Sequence, residues 1–89
     1  MHENQITQLV KEELKKAKTK FPMWPNDPIH AASVVGEESG ELTRAALQFT
    51  YEYEEQGLSE MKKEALQTIV TAWRFLENLE EYKARNTFQ

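Results

Sequence analysis

Three prolines, Pro22, Pro25 and Pro28, fall close together in Thr19-Lys20-Phe21-Pro22-Met23-Trp24-Pro25-Asn26-Asp27-Pro28, and they divide the chain. Proline has no backbone N–H, fixes φ and turns the residue before it away from the helical region, so no helix runs through this stretch. Before it, Ile6, Leu9, Val10, Leu14 and Ala17 recur at helical spacing and predict a first helix from about Glu3 to Lys18. Asp27 followed by Pro28 reads as an N-cap and first helical position, so a second helix starts there and continues to about Tyr53. Gly57 and Ser59 then break the chain and cap a third helix, from about Glu60 to Glu81. The polar tail, Tyr82 to Gln89, is expected to be loosely held. No alternating pattern of a strand competes. The predicted fold is therefore all-α, an antiparallel bundle with three main helices per subunit.

The 89 residues make one domain, and a domain this small buries a modest core. Oligomerisation is its natural supplement, with the second and third helices of two subunits forming a four-helix core. There is no cysteine, which excludes disulfides, zinc–thiolate sites and cysteine nucleophiles. A formal net charge of −4 and a pI near 5.2 argue against general nucleic-acid binding, which calls for a basic face. No run approaches the roughly 18 apolar residues of a membrane span, and no signal-peptide pattern opens the chain. A soluble cytoplasmic protein with no membrane partner is the expectation.

The second predicted helix carries an unfavourable local sequence, Val35-Gly36-Glu37-Glu38-Ser39-Gly40-Glu41-Leu42. Glu37 and Glu41 stand at i and i+4, Glu38 and Glu41 at i and i+3, so they are stacked neighbours. Each like-charge pair costs a few tenths of a kcal/mol, and each mid-helix glycine about 0.8–1 kcal/mol relative to alanine. A solvated face is the ordinary meaning of such a charge run. The helical wheel opposes it at one residue. Ala31, Val34, Val35, Leu42, Ala45, Ala46 and Phe49 share one arc, and Glu38 lies inside it. Glu41 sits at its edge and Glu37 further out. A carboxylate in a buried stripe must be paired, protonated or bound to a cation, which makes this segment a candidate divalent-metal site.

The third helix has two faces. Ala65, Leu66, Ile69, Ala72, Trp73 and Leu76 form a broad apolar one, with Trp73 read as core or subunit interface. Glu64, Gln67, Thr71, Arg74 and Asn78 form a polar stripe that either meets water or faces Glu38 and Glu41. In the second case Arg74 lies along the same groove, where it can meet a phosphate. In the first helix, Lys15, Lys16 and Lys18 suit the negative end of the dipole or are simply solvated.

Glu37-Glu38-Ser39-Gly40-Glu41-Leu42 followed by Glu64-Ala65-Leu66-Gln67 resembles the MazG-like nucleoside triphosphate pyrophosphohydrolases, whose pattern is Glu-Glu-x-x-Glu, a spacer, then Glu-x-x-Asp. The resemblance runs from about Phe21 to Leu79, and Lys63 to Leu76 is similar to short phage and bacterial members. It implies an all-α enzyme that binds Mg²⁺, with Mn²⁺ as a substitute, and splits a nucleoside triphosphate into monophosphate and pyrophosphate. By motif position it implies Glu38, Glu41 and Glu64 as ligands, with Gln67 at the fourth position and Glu37 as a water-orienting base. A triphosphate brings about four negative charges, so acidic side chains approach it only through cations.

The chain departs from the family at Gln67, where the pattern has aspartate. An amide oxygen still ligates Mg²⁺, but the site loses one unit of charge, which puts turnover in question. For the base, the candidates are Trp24, which stacks on it or else caps the core, and His30, which contacts nucleotide or is merely a polar surface residue. A non-catalytic helical dimerisation or nucleotide-binding module is the alternative function. A carboxylate-bridged di-iron bundle needs Glu-x-x-His pairs, which neither Glu38-x-x-Glu41 nor Glu64-x-x-Gln67 supplies.

Overall fold

A computed structural model of the chain describes residues 1–52 and 55–84. It contains α1 (Glu3–Lys20), α2 (Pro28–Tyr51), α3 (Gly57–Glu77) and a 3-10 turn, Leu79–Glu81. The helix α1 opens with Gln5 Oε1 accepting from the His2 backbone N–H at 2.9 Å. It runs two residues past the expected Lys18, because the Phe21 N–H still reaches Ala17 O at 2.7 Å, and Pro22 ends it. Asp27 caps α2 as expected, its side chain accepting from the Ile29 N–H at 2.9 Å, with Pro28 at the first helical position. The expected end of that helix, Tyr53, lies outside the described residues.

The start of α3 differs from expectation. It begins at Gly57, a turn before Glu60, with Gln56 in the cap position. Ser59 is not the cap, since its hydroxyl donates to Gln56 O at 2.9 Å. Gly57 serves packing here: a Cβ on it would stand 2.6 Å from Phe49 Cδ2, so glycine lets the start of α3 lie against α2. The far end also differs. The helix stops at Glu77, where the Asn78 N–H divides between Arg74 O and Phe75 O at 3.2 and 3.3 Å. The chain then tightens into the 3-10 turn before Glu81.

Close packing of α2 on α3 across a short connection makes them antiparallel, while α1 packs on α3 and not on α2. The helix α3 is thus the shared element, and the molecule is elongated at 55 × 28 × 23 Å. The core is small: Val10 and Leu14 from α1, Ala31 and Ala45 from α2, and Val70 from α3 at 1 % exposure. Thr71 and Arg74 are buried with them. The polar stripe of α3 therefore faces the other helices, and the reading that turned it to water is overturned. The expected apolar face is partly open, with Ile69, Trp73 and Leu76 at 40, 40 and 66 % exposure and Ala65, Leu66 and Ala72 half-buried. Tyr82, expected to head a loose tail, is tied down: its ring lies 4.9 Å from Phe75 and its hydroxyl accepts from Trp24. The rest of that tail from residue 85 lies outside the described residues. Among the described residues, no helix is long and apolar enough to cross a membrane.

Candidate functional site

Where the three helices face one another, an open cleft of about 540 Å³ is lined by Glu38 and Glu41 from α2, Glu64 and Gln67 from α3, and Glu13 from α1. Lys16, Lys20 and Lys63 line it too. Helical spacing explains the placement. Glu38 and Glu41, like Glu64 and Gln67, are one turn apart on their helices, and close packing of α2 on α3 brings the pairs to one wall. Four of the five motif positions thus meet. Glu37 does not line the cleft and is exposed.

Glu38 is half-buried and its carboxyl is pushed above the usual glutamate range. Burial is the largest cause, followed by repulsion from Glu64, Glu41 and Glu37, with Lys63 pulling the other way. The wheel position inside the apolar arc is the source of that burial. Among the described residues, no three His, Asp or Glu side chains are grouped so that they could hold a metal ion as they stand. The carboxylates ring the cleft without closing on a point.

Glu13 is the residue that the motif pattern did not reveal. Its Oε2 accepts from Gln67 Nε2 at 3.1 Å, and its Oε1 stands 3.6 Å from Lys16 Nζ. The signal was available, since Glu13 lies at i+3 from the core residue Val10 and i−4 from Ala17, on the edge of the buried face of α1. The bond also orients Gln67: with its nitrogen toward Glu13, its amide oxygen is turned the other way. Lys18, by contrast, pairs with Glu77 at 2.9 Å outside the cleft.

A second cavity of about 270 Å³ adjoins the first, and Ala17, Phe21, Glu38 and Gln67 line both. Here the structure places Arg74 and Trp24, together with Thr71 and Val70. Arg74 is 6 % exposed, and its Nη2 donates to Phe21 O at 2.8 Å. Its guanidinium stands 5.0 Å from the Trp24 ring centre, a cation–π contact. It therefore lines this cavity and not the carboxylate cleft. Trp24 is half-buried, one indole face toward Arg74 and Nε1 donating to Tyr82 Oη at 2.9 Å. Thr71 and Asn78 spend their donors on their own helix, Thr71 Oγ1 to Gln67 O at 3.0 Å and Asn78 Nδ2 to Arg74 O at 2.8 Å. His30 is exposed and lines neither cavity.

No protein-family model, curated protein or solved structure matches this chain.

Proposed function

We propose that this chain hydrolyses nucleoside triphosphates to monophosphate and pyrophosphate with Mg²⁺ or Mn²⁺, in the manner of the MazG-like enzymes its sequence resembles. The observation that carries the proposal is the cleft itself, where Glu13, Glu38, Glu41 and Glu64 from three helices surround Gln67 within a fringe of lysines. Its donors are all oxygens of carboxylates and one amide, the set that Mg²⁺ takes. Burial first, and then repulsion from Glu64, Glu41 and Glu37, raises the Glu38 carboxyl, and a cation among these carboxylates would relieve the repulsive part.

Glu38, Glu41, Glu64 and the Gln67 oxygen would hold the cation. When bound, it neutralises charge on the phosphates and lowers the pKa of an attacking water. The chain's own side chains then have three tasks. Lys16, Lys20 and Lys63 meet phosphate oxygens, a task that the buried Arg74 is not placed to perform. A carboxylate takes the proton as water attacks the α-phosphorus and the bond to the β-phosphate breaks. Glu38, on the cleft wall, is better placed for this than the exposed Glu37. The second cavity, continuous with the first through Phe21 and Gln67, would receive the base. The stripe of Ile69, Trp73 and Leu76 left open on α3 would pack on a second copy, giving a homodimer or higher oligomer with a four-helix core. The setting of such an activity is the cytoplasm, with its nucleotide pools.

The test is a panel of ribo- and deoxyribonucleoside triphosphates with Mg²⁺ or Mn²⁺, scored for pyrophosphate release, with Glu38→Gln as the inactive control. Release at the same rate by both proteins would overturn the assignment. The alternative, a helical dimerisation or nucleotide-binding module without turnover, draws on one feature: Gln67 stands at the aspartate position and its amide is tied to Glu13. It predicts binding without release.

A further inference from the structure

The connection from α1 to α2 roofs the second cavity, with Phe21, Met23, Trp24 and Pro25 all lining it. This strap has few ties. Among the described residues, no backbone–backbone hydrogen bond involves residues 22–26. Met23 is 85 % exposed and Phe21 60 %. Pro22 and Pro25 fix their own φ, which limits the strap's internal freedom. At its α1 end the Phe21 N–H bonds Ala17 O and Lys20 Nζ stands 5.4 Å from the Phe21 ring centre. Among the described residues, its other ties are side-chain contacts from the end of α3 and the segment after it. Arg74 donates to Phe21 O and faces the Trp24 ring, while Trp24 Nε1 donates to Tyr82 Oη at 2.9 Å.

These contacts are unequal. Arg74 belongs to the core and to a continuous helix. Tyr82 stands beyond the break at Asn78, after a turn that carries the Glu81 N–H to Asn78 O bond at 3.0 Å and the Tyr82 N–H to Leu79 O bond at 3.3 Å, and that joins α3 through the Asn78 N–H. It rests otherwise on the Phe75 ring. We propose that Phe21–Pro25 is a hinged flap over the second cavity, and that the Trp24–Tyr82 hydrogen bond is its latch. The segment after α3 thereby controls entry to the cavity, and through the shared walls at Phe21 and Gln67 it reaches the carboxylate cleft.

Tyr82→Phe removes the acceptor oxygen and leaves the ring on Phe75. The natural absence of cysteine permits a clean access probe. The thiol introduced by Thr71→Cys lies buried in the cavity wall, and that from Val10→Cys lies in the core away from the cavity. Labelling by a thiol reagent, with no nucleotide or cation present, reads opening directly. Tyr82→Phe should raise labelling at position 71 about five-fold, the equilibrium effect of one ordinary neutral hydrogen bond, and leave labelling at position 10 unchanged. An unchanged rate at 71 overturns the latch. A parallel rise at both positions also overturns it, by showing general loosening. Because the readout needs neither cation nor substrate, its failure is separate from any failure of the hydrolase proposal.

Discussion

Gln67→Asp restores the residue of the family pattern and tests the cleft from two directions. In the wild-type chain the Gln67 amide donates to Glu13 at 3.1 Å, and both residues are half-buried. A hydrogen bond to a charged group contributes about 1.5–3 kcal/mol, and the open cleft argues for the lower end. Aspartate cannot donate at neutral pH, so that bond is lost. In its place stands a carboxylate facing Glu13, with a repulsion of about 1 kcal/mol in a water-like medium and more where the wall is dry. The sum is a loss of about 2–3 kcal/mol without cation. At about 4–8 °C per kcal/mol for a domain of this size, the thermal midpoint in chelator should fall by about 10–20 °C. With cation the added charge becomes a ligand. A Kd about a hundredfold tighter than that of the wild-type site contributes about 2.7 kcal/mol at saturation, enough to return most of the loss. The assay is thermal unfolding of both proteins in chelator and in millimolar Mg²⁺. An equal fall in the two buffers would refute the cation site. No fall in either would refute the Glu13–Gln67 contact, since an exposed substitution shifts stability by no more than about 0.5 kcal/mol.

Other outcomes follow from the same geometry. Since the folded Glu38 carboxyl binds a proton more readily than the unfolded one, metal-free stability should rise as pH falls through its folded value toward the ordinary glutamate range, the gain being absent well above it. Glu38→Gln should therefore be more stable than wild type at pH 7 in chelator and show less of this pH dependence, while losing turnover; urea titrations at pH 5 and 7 check the sign. Trp73→Glu, on the open face of α3, should convert a dimer to a monomer with helicity retained, and sedimentation of the wild-type chain as a stable monomer at micromolar concentration would refute the association. Gly57→Ala should lose about 1 kcal/mol, because the contact with Phe49 at 2.6 Å outweighs the usual helical gain of alanine, and a more stable variant in denaturant titration would contradict the packing.

Helix positions were legible where the signal was local. Asp27-Pro28 determines the start of α2 by a side-chain cap and a missing N–H, and both are properties of adjacent residues. The start of α3 was not legible, because it is not decided locally, whereas its end is capped by Asn78, whose backbone and side chain both donate to Arg74 O. Gly57 looks like a break but is an allowance for the Phe49 ring of another helix, and the end at Asn78 comes with a tertiary tie from Tyr82 to the strap. Apolar spacing on α3 did not tell which part of that face is covered within one chain: Val70 is buried while Ile69, Trp73 and Leu76 are open. In a chain with so little core, part of the helix's apolar face is left open, and Thr71 and Arg74 of its polar stripe are buried.

The same distinction between local and tertiary signals decides which residues of the cleft were foreseeable. Glu38, Glu41, Glu64 and Gln67 lie on two helices joined by a short connection, so spacing along the chain nearly determines their meeting. Glu13 comes from a helix that touches only α3, and its partner Gln67 is more than fifty residues away, so its part depends on how α1 docks. Arg74 shows the converse. Its spacing placed it along the carboxylate groove, but it lines the adjoining cavity, where its guanidinium donates to the Phe21 carbonyl and faces the Trp24 indole. Burial separates the cationic side chains: Lys16, Lys20 and Lys63 line the cleft from exposed positions, while Arg74 is enclosed and lines only the second cavity.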